Sequence, residues 1–110
     1  MPKIADYTVA GKSGTKYQFE VYPRNTSWKE VGAVYLLTKR VIGANGKGTH
    51  TNIYVGQTGN MAQRHTDHHK EECFDSHGAN CTCVLVEPSE PMRLKIESDI
   101  LQGGKWPCNG

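Results

Sequence analysis

Ile53-Tyr54-Val55-Gly56-Gln57-Thr58-Gly59-Asn60-Met61-Ala62-Gln63-Arg64-His65-Thr66-Asp67-His68-His69 spells out a strand, a glycine turn and a helix in one run. In a pleated strand Ile53 and Val55 point to one face and Tyr54 to the other. Gly56 and Gly59 bracket the turn, and Asn60 is a suitable N-cap for a helix starting at Met61. Arg64 and His68 are four residues apart, so they share one face of that helix. A tyrosine at a strand end, a permanent cation and an imidazole then meet over one spot, which suits an anion.

Before this run, Tyr7 and Val9, then Tyr17, Phe19 and Val21, alternate with polar residues around Gly11-Lys12-Ser13-Gly14. That pattern predicts a β-hairpin over residues 6–22. Val31 to Thr38 reads as a strand apolar on both faces, hence central. Arg40 to Asn52 is rich in glycine and polar residues and reads as a long loop joining two paired strands. After a loop over Phe74 to Asn80, Cys81 to Glu87 forms a further strand, and Pro88-Ser89 breaks it. Ser89 is the N-cap of a last helix with Pro91 in its first turn, ending before Gly103-Gly104. The order predicts an α+β fold: a small, mostly antiparallel sheet with helices packed on it. An amino-terminal hairpin extension occupies residues 1–30, and the main unit covers 31–110.

At 110 residues the chain holds one domain with room for a core. With 22% charged and 36% hydrophobic residues it is globular, neither disordered nor membrane-spanning. The start, Met-Pro-Lys-Ile-Ala-Asp, lacks the apolar stretch of a secretory signal, so the expected place is the cytoplasm. A net charge of +2 permits a nucleic-acid partner without requiring one.

In such a chain Cys73, Cys81, Cys83 and Cys108 are expected to be free thiols. Zinc held by Cys73, Cys81, Cys83 and a clustered histidine is the less favoured reading, because Cys-x-Cys lacks the usual ligand spacing. Small side chains in and around a strand are the simpler reading.

Glu97 stands out. In the last helix it falls within a stripe formed by Leu94 and Leu101 with Ile100 alongside. A carboxylate among core-facing positions is costly unless it is paired or coordinated. Its ordinary explanation is an ion pair with Arg93, four residues earlier.

Gly32-Ala33-Val34-Tyr35, followed by Tyr54-Val55-Gly56, resembles the paired motif of the GIY-YIG nuclease family. Arg64 stands ten positions after the second motif's tyrosine, where the family carries an arginine on the next helix. Ile96-Glu97-Ser98-Asp99-Ile100-Leu101 looks like its later glutamate helix, and Pro107-Cys108-Asn109 like its closing Pro-x-Asn. The likeness runs from about Val31 to Asn109. Two features depart from it: Ala33 replaces a glycine, and the Arg40 to Asn52 stretch widens the gap between the motifs, which loop entropy tolerates.

The resemblance implies a GIY-YIG-like fold and metal-dependent hydrolysis of phosphodiester bonds, in DNA as first choice. Glu97 would hold one Mg²⁺ or Mn²⁺, and Arg64 would grip the scissile phosphate. Tyr35 is the first choice to deprotonate the attacking water, with Tyr54 orienting water or phosphate. A free phenol, with pKa about 10, needs help near neutrality, and His68 could accept the proton. Asn109 would fix geometry near the metal. His65, His69 and His77 stay unassigned, although His77 lies near the cleft in this reading. Specificity would come from the hairpin, the Arg40 to Asn52 loop, a homodimer or a partner protein. The competing readings are a non-catalytic nucleic-acid-binding module of the same fold and a zinc-binding structural or adaptor protein.

Overall fold

A computed structural model describes residues 3–63 and 70–109. Its strands are β1 (Ala5–Ala10), β2 (Lys16–Pro23), β3 (Ala33–Ile42), β4 (Gly48–Thr58) and β5 (Cys81–Val86). Its helices are α1 (Glu71–Ser76) and α2 (Glu90–Gln102), and Pro107–Asn109 forms a closing 3₁₀ turn. The five strands make one antiparallel sheet in the order β1-β2-β5-β3-β4, so the fold is α+β as the pattern predicts. The amino-terminal hairpin is part of that sheet, because β2 pairs with β5.

The sheet curls until its two ends touch. Tyr7 of β1 stacks on His50 of β4 with ring centroids 4.1 Å apart, and its hydroxyl donates to Asn52 Oδ1 at 2.8 Å. The inner face carries Val9, Phe19, Val21, Val34, Leu36 and Val55, closed by Ile96 and Ile100 of α2 and by Trp106. Each fully buried side chain of this size contributes about 1.5–3 kcal/mol. The outer face holds Ala33, Tyr35, Leu37 and Ile53 under Met61, Phe74 of α1 and Cys108.

Several local expectations are corrected. Arg40 to Asn52 is not a long loop, because the β3–β4 ladder continues through Arg40–His50 to Ile42–Gly48. Only a tight turn remains, with Gly46 at φ 77°. The arm carries exposed side chains over Val41 to Thr49, so no apolar alternation announces it. Ile53 and Val55 do not share a face either. The register slips between Leu37 and Thr38, leaving Ile53 as the extra residue of a β-bulge. Ile53 therefore joins Tyr54 on the outer cluster and Val55 alone turns inward. Phe74 to Ser76 belong to α1 rather than to a loop, since Phe74 is buried against the outer face.

On α2 the buried stripe is Arg93, Ile96 and Ile100, at i, i+3 and i+7. Leu94 and Leu101 are exposed. The helix is rotated from the expected stripe because Arg93 can be buried: it donates to the carbonyls of Glu87 at 3.0 Å and Pro88 at 2.8 Å, and to Gln57 Oε1 at 3.1 Å. Ser89 caps α2 as predicted, accepting from Met92 N–H. Beyond the helix, Lys12 N–H donates to the carbonyl of Asp99, and Asp99 also accepts from Ser13 and Tyr17. These bonds dock the hairpin turn on the end of α2.

Candidate active site

The candidate residues gather around Gly56 on β4, the outermost strand next to β3. Tyr35 lies directly across the ladder from Gly56. A Cβ at Gly56 would stand 2.7 Å from the Tyr35 hydroxyl and 2.8 Å from the Tyr54 ring. Both tyrosines therefore lean over this one backbone position, their ring centroids 6.0 Å apart and tilted by 38°. Tyr54 also packs on Phe74, with centroids 5.3 Å apart, so α1 fixes the outer side of the pair. The glycine of the Tyr-Val-Gly motif is a packing necessity, since any side chain there would displace a ring.

The free edge of β4 supplies the other two groups. Along an edge strand, alternate residues turn their backbone N–H and C=O away from the sheet. Val55 and Gln57 do so, and side chains meet them. Asn109 Oδ1 accepts from Val55 N–H at 3.0 Å, while Asn109 Nδ2 donates to the Val55 carbonyl at 2.8 Å. The Gln57 backbone N–H lies close enough to Glu97 to favour its ionised form. The carboxamide and the carboxylate thus sit two residues apart along one strand edge, on either side of Gly56.

Glu97 is half-buried, and burial raises its pKa above the usual carboxylate value of 4.5, opposed by the Gln57 N–H. Its expected pairing with Arg93 does not form, because Arg93 is engaged by Gln57 and two carbonyls. Arg93 is the residue the sequence reading underrated. It is only 5% exposed, it forms no ion pair among the described residues, and it anchors the side chain of the same Gln57 whose amide meets Glu97. The Arg-x-x-x-Glu spacing points only to the ion pair that does not form, so nothing in the sequence marks the burial of Arg93.

Asn60 Oδ1 accepts from Ala62 N–H at 3.0 Å, the start of the cap expected there. Arg64, His65, His68 and His69 lie outside the described residues, and so does most of the helix predicted from Met61. Four of the six candidate residues, Tyr35, Tyr54, Glu97 and Asn109, are thus brought to one four-residue stretch of β4, Tyr54 to Gln57.

The cysteines depart from expectation. Cys73 and Cys108 are joined in a disulfide, while Cys81 and Cys83 are free and buried. The pairing is invisible in sequence because 35 residues separate the two, and only the return of the carboxy-terminal turn over the outer face brings them together. The less favoured zinc set of Cys73, Cys81, Cys83 and a histidine does not assemble, because the sheet separates its cysteines. Cys81 and Cys83 belong to the inner cluster, whereas Cys73 and Cys108 lie on the outer one. Burial pushes the Cys83 thiol up to about 12, so it is a poor thiolate ligand. His77 lies beside the disulfide: its Nδ1 is 3.8 Å from Cys73 Sγ and 3.7 Å from Cys108 Sγ.

A scan against protein-family models matches no family, and searches of curated proteins and of solved structures return no match.

Proposed function

We propose that this protein is a metal-dependent endonuclease of the GIY-YIG type, hydrolysing phosphodiester bonds in DNA. The observation that carries this reading is the gathering around Gly56: two tyrosine rings over the glycine, and a carboxylate and a carboxamide on the strand edge beside it. Two phenols, a carboxylate and a carboxamide around one glycine are the residue types that metal-assisted hydrolysis of a phosphodiester uses.

The donor set fits one hard divalent cation. Mg²⁺ and Mn²⁺ are often held through one or two carboxylates while keeping waters and taking substrate phosphate oxygens. Glu97 offers such a carboxylate, half-withdrawn from water, where a cation would favour its ionised form. When bound, the ion would neutralise the scissile phosphate and the developing charge on the leaving oxygen. Tyr35, held across the ladder from Gly56, is assigned the attacking water's proton, and Tyr54 the orientation of water or phosphate. Arg64 is assigned the phosphate itself, and His68 the proton passed on from the phenol. Asn109 keeps the edge of β4 in register so that these groups hold their spacing. Cytoplasmic nucleic acid is the expected substrate pool.

Nicking of supercoiled plasmid in the presence of Mg²⁺ or Mn²⁺ tests the reading. Glu97→Gln should reduce the rate by at least about 100-fold, the scale expected on losing the metal's protein ligand. Unchanged cleavage in both Glu97→Gln and Arg64→Ala would overturn it.

A further inference from the structure

We propose that Cys73, His77 and Cys108 form a binding site for one Zn²⁺ ion, available whenever the Cys73–Cys108 disulfide is reduced. The site is separate from the cluster at Gly56 and does not depend on the nuclease reading.

Cys73 and His77 are four residues apart at the end of α1, so they lie on one face of it. The third member arrives from the far end of the chain, where the closing turn carries Cys108 onto the outer face. One ligand atom from each residue falls within 4.8 Å of the others. With Zn–S near 2.3 Å and Zn–N near 2.0–2.1 Å, tetrahedral ligand atoms stand roughly 3.5–3.8 Å apart. His77 Nδ1 already stands 3.8 and 3.7 Å from the two sulfurs. Only the two sulfurs must separate.

The ring needs one change. Nδ1 lies 2.9 Å from the Cys73 carbonyl oxygen and 3.2 Å from Ser76 Oγ, so in the oxidised form it shares a proton with them. On binding metal, Nδ1 gives up that proton and Nε2 carries the ring N–H, which the exposed position of His77 allows. Two thiolates and one imidazole leave the fourth position of the tetrahedron to water or to an incoming group, as in open zinc sites. Cys81 and Cys83 cannot complete it, because they face the other side of the sheet.

A dithiol reductant breaks the S–S bond by delivering two electrons and two protons, and leaves as its own disulfide. Zn²⁺ then forms two Zn–S bonds and one Zn–N bond, releasing the two thiol protons to water. A disulfide-type oxidant taking back two electrons restores the S–S bond and expels the ion. Cys108 adjoins Asn109, so an S–S bond or an S–Zn–S bridge ties the carboxy-terminal turn to α1 and holds the carboxamide on Val55. In a reducing compartment the metal takes over the disulfide's mechanical role.

The test uses Co²⁺ as a spectroscopic stand-in for Zn²⁺, added to the full chain reduced anaerobically with a phosphine. Tetrahedral d–d bands and sulfur-to-cobalt charge transfer should saturate at one equivalent and disappear on adding Zn²⁺. The oxidised protein should show neither. Cys108→Ser should lose the charge-transfer intensity of one thiolate, and His77→Ala should bind at least about tenfold more weakly. The Cys81→Ser/Cys83→Ser double variant should bind like the wild type. Zn²⁺ should also raise the Tm of the reduced wild type and leave that of the oxidised protein unchanged. Absence of charge transfer in the reduced wild type, or its loss in the Cys81→Ser/Cys83→Ser variant, would overturn the proposal. Because no nucleic acid or Mg²⁺ is present, failure here is distinguishable from failure of the nuclease reading.

Discussion

Asn109 and Val55 exchange two hydrogen bonds, the carboxamide imitating the backbone of a missing neighbouring strand. Between Trp106 and Asn109 the chain passes from one side of the sheet to the other. Trp106 packs on the inner face, donating its indole N–H to the Ile100 carbonyl at 3.1 Å, and Cys108 reaches the outer face. Asn109 marks where it rounds the edge.

Asn109→Ala should therefore loosen β4 as well as the candidate site. Two hydrogen bonds at about 0.5–1.5 kcal/mol each set an upper range, and water at the exposed edge lowers it, so a loss of about 1–2 kcal/mol is expected. Hydrogen exchange at the Val55 amide should accelerate more than at the Leu36 amide opposite. Equal rates in variant and wild type would show that the carboxamide does not hold the strand.

Gly56→Ala introduces a methyl group where the Tyr35 hydroxyl and the Tyr54 ring already stand. Overpacking of this kind costs about 1–3 kcal/mol and displaces at least one ring. Plasmid nicking should fall by more than the lost folded fraction explains, and near-ultraviolet circular dichroism should report the disturbed tyrosines. An unchanged spectrum together with full activity would mean that the ring positions do not matter.

Acidification separates Glu97 from ordinary carboxylates. Its folded pKa is raised, so its proton returns at a pH above 4.5, and the protonated form cannot hold a cation. Mn²⁺ affinity should weaken as the pH falls through this raised pKa, and at subsaturating metal cleavage should fade with it. The linkage to stability has the opposite sign. A raised pKa means the folded state holds the proton more tightly, so ionisation of Glu97 opposes folding as pH rises through that window. Without metal, Glu97→Gln should have a Tm at pH 7 equal to or above that of the wild type. A clear drop would assign Glu97 a structural role.

His50 gives a second pH signature. Burial, and then the charge of Arg40, lower its pKa below 6.5, while its Nδ1 lies 2.8 Å from Thr38 Oγ1. Below pH 6.5 the unfolded chain takes up this proton before the folded one does, so stability is lost as pH falls from 6.5 towards the lowered folded value. The fall in Tm between pH 7.5 and 5.5 should be smaller in His50→Asn. An identical fall would place the acid sensitivity elsewhere.

Thiol labelling checks the inner face. Cys81 and Cys83 are both buried with raised pKa values, Cys83 to about 12. In the oxidised native protein neither should react with iodoacetamide at pH 8 until the chain unfolds, after which mass spectrometry should find two labels. Prompt labelling of the native protein would contradict the burial of β5.

The parts of this structure legible in sequence are those with a short, repeated signal. Alternation around Phe19 and Val21 revealed the hairpin, and Ser89 with Pro91 placed the start of α2. The apolar run at Val34 to Leu37 marked the central strand. The β3–β4 arm was hidden because both its faces meet water, so glycine and polar residues looked like a loop. The bulge at Ile53 was hidden because one skipped pairing leaves composition unchanged. The stripe on α2 was misjudged because arginine counts as polar in any periodicity, although Arg93 is buried by donating to carbonyls. At the candidate site, Tyr35, Tyr54, Glu97 and Asn109 could be named from motif order alone. What brings them together, the glycine beneath two rings and the two side chains on one strand edge, is a matter of contacts between distant residues. The Cys73-x-x-x-His77 spacing was in plain view, but its third partner was a turn at the other end of the chain.

The contact between Tyr7 and Asn52 has a consequence for self-association. An open five-stranded sheet would present two rows of unpaired amides, each a template for a strand from another molecule. Here the curl turns the ends of β1 and β4 toward each other, Asn109 occupies the outward-facing groups of Val55 on β4, and Glu97 lies near the Gln57 N–H. Edge-to-edge stacking into fibres is discouraged by the same side chains that furnish the candidate site. Variants that remove Asn109 should therefore be watched for aggregation as closely as for lost activity.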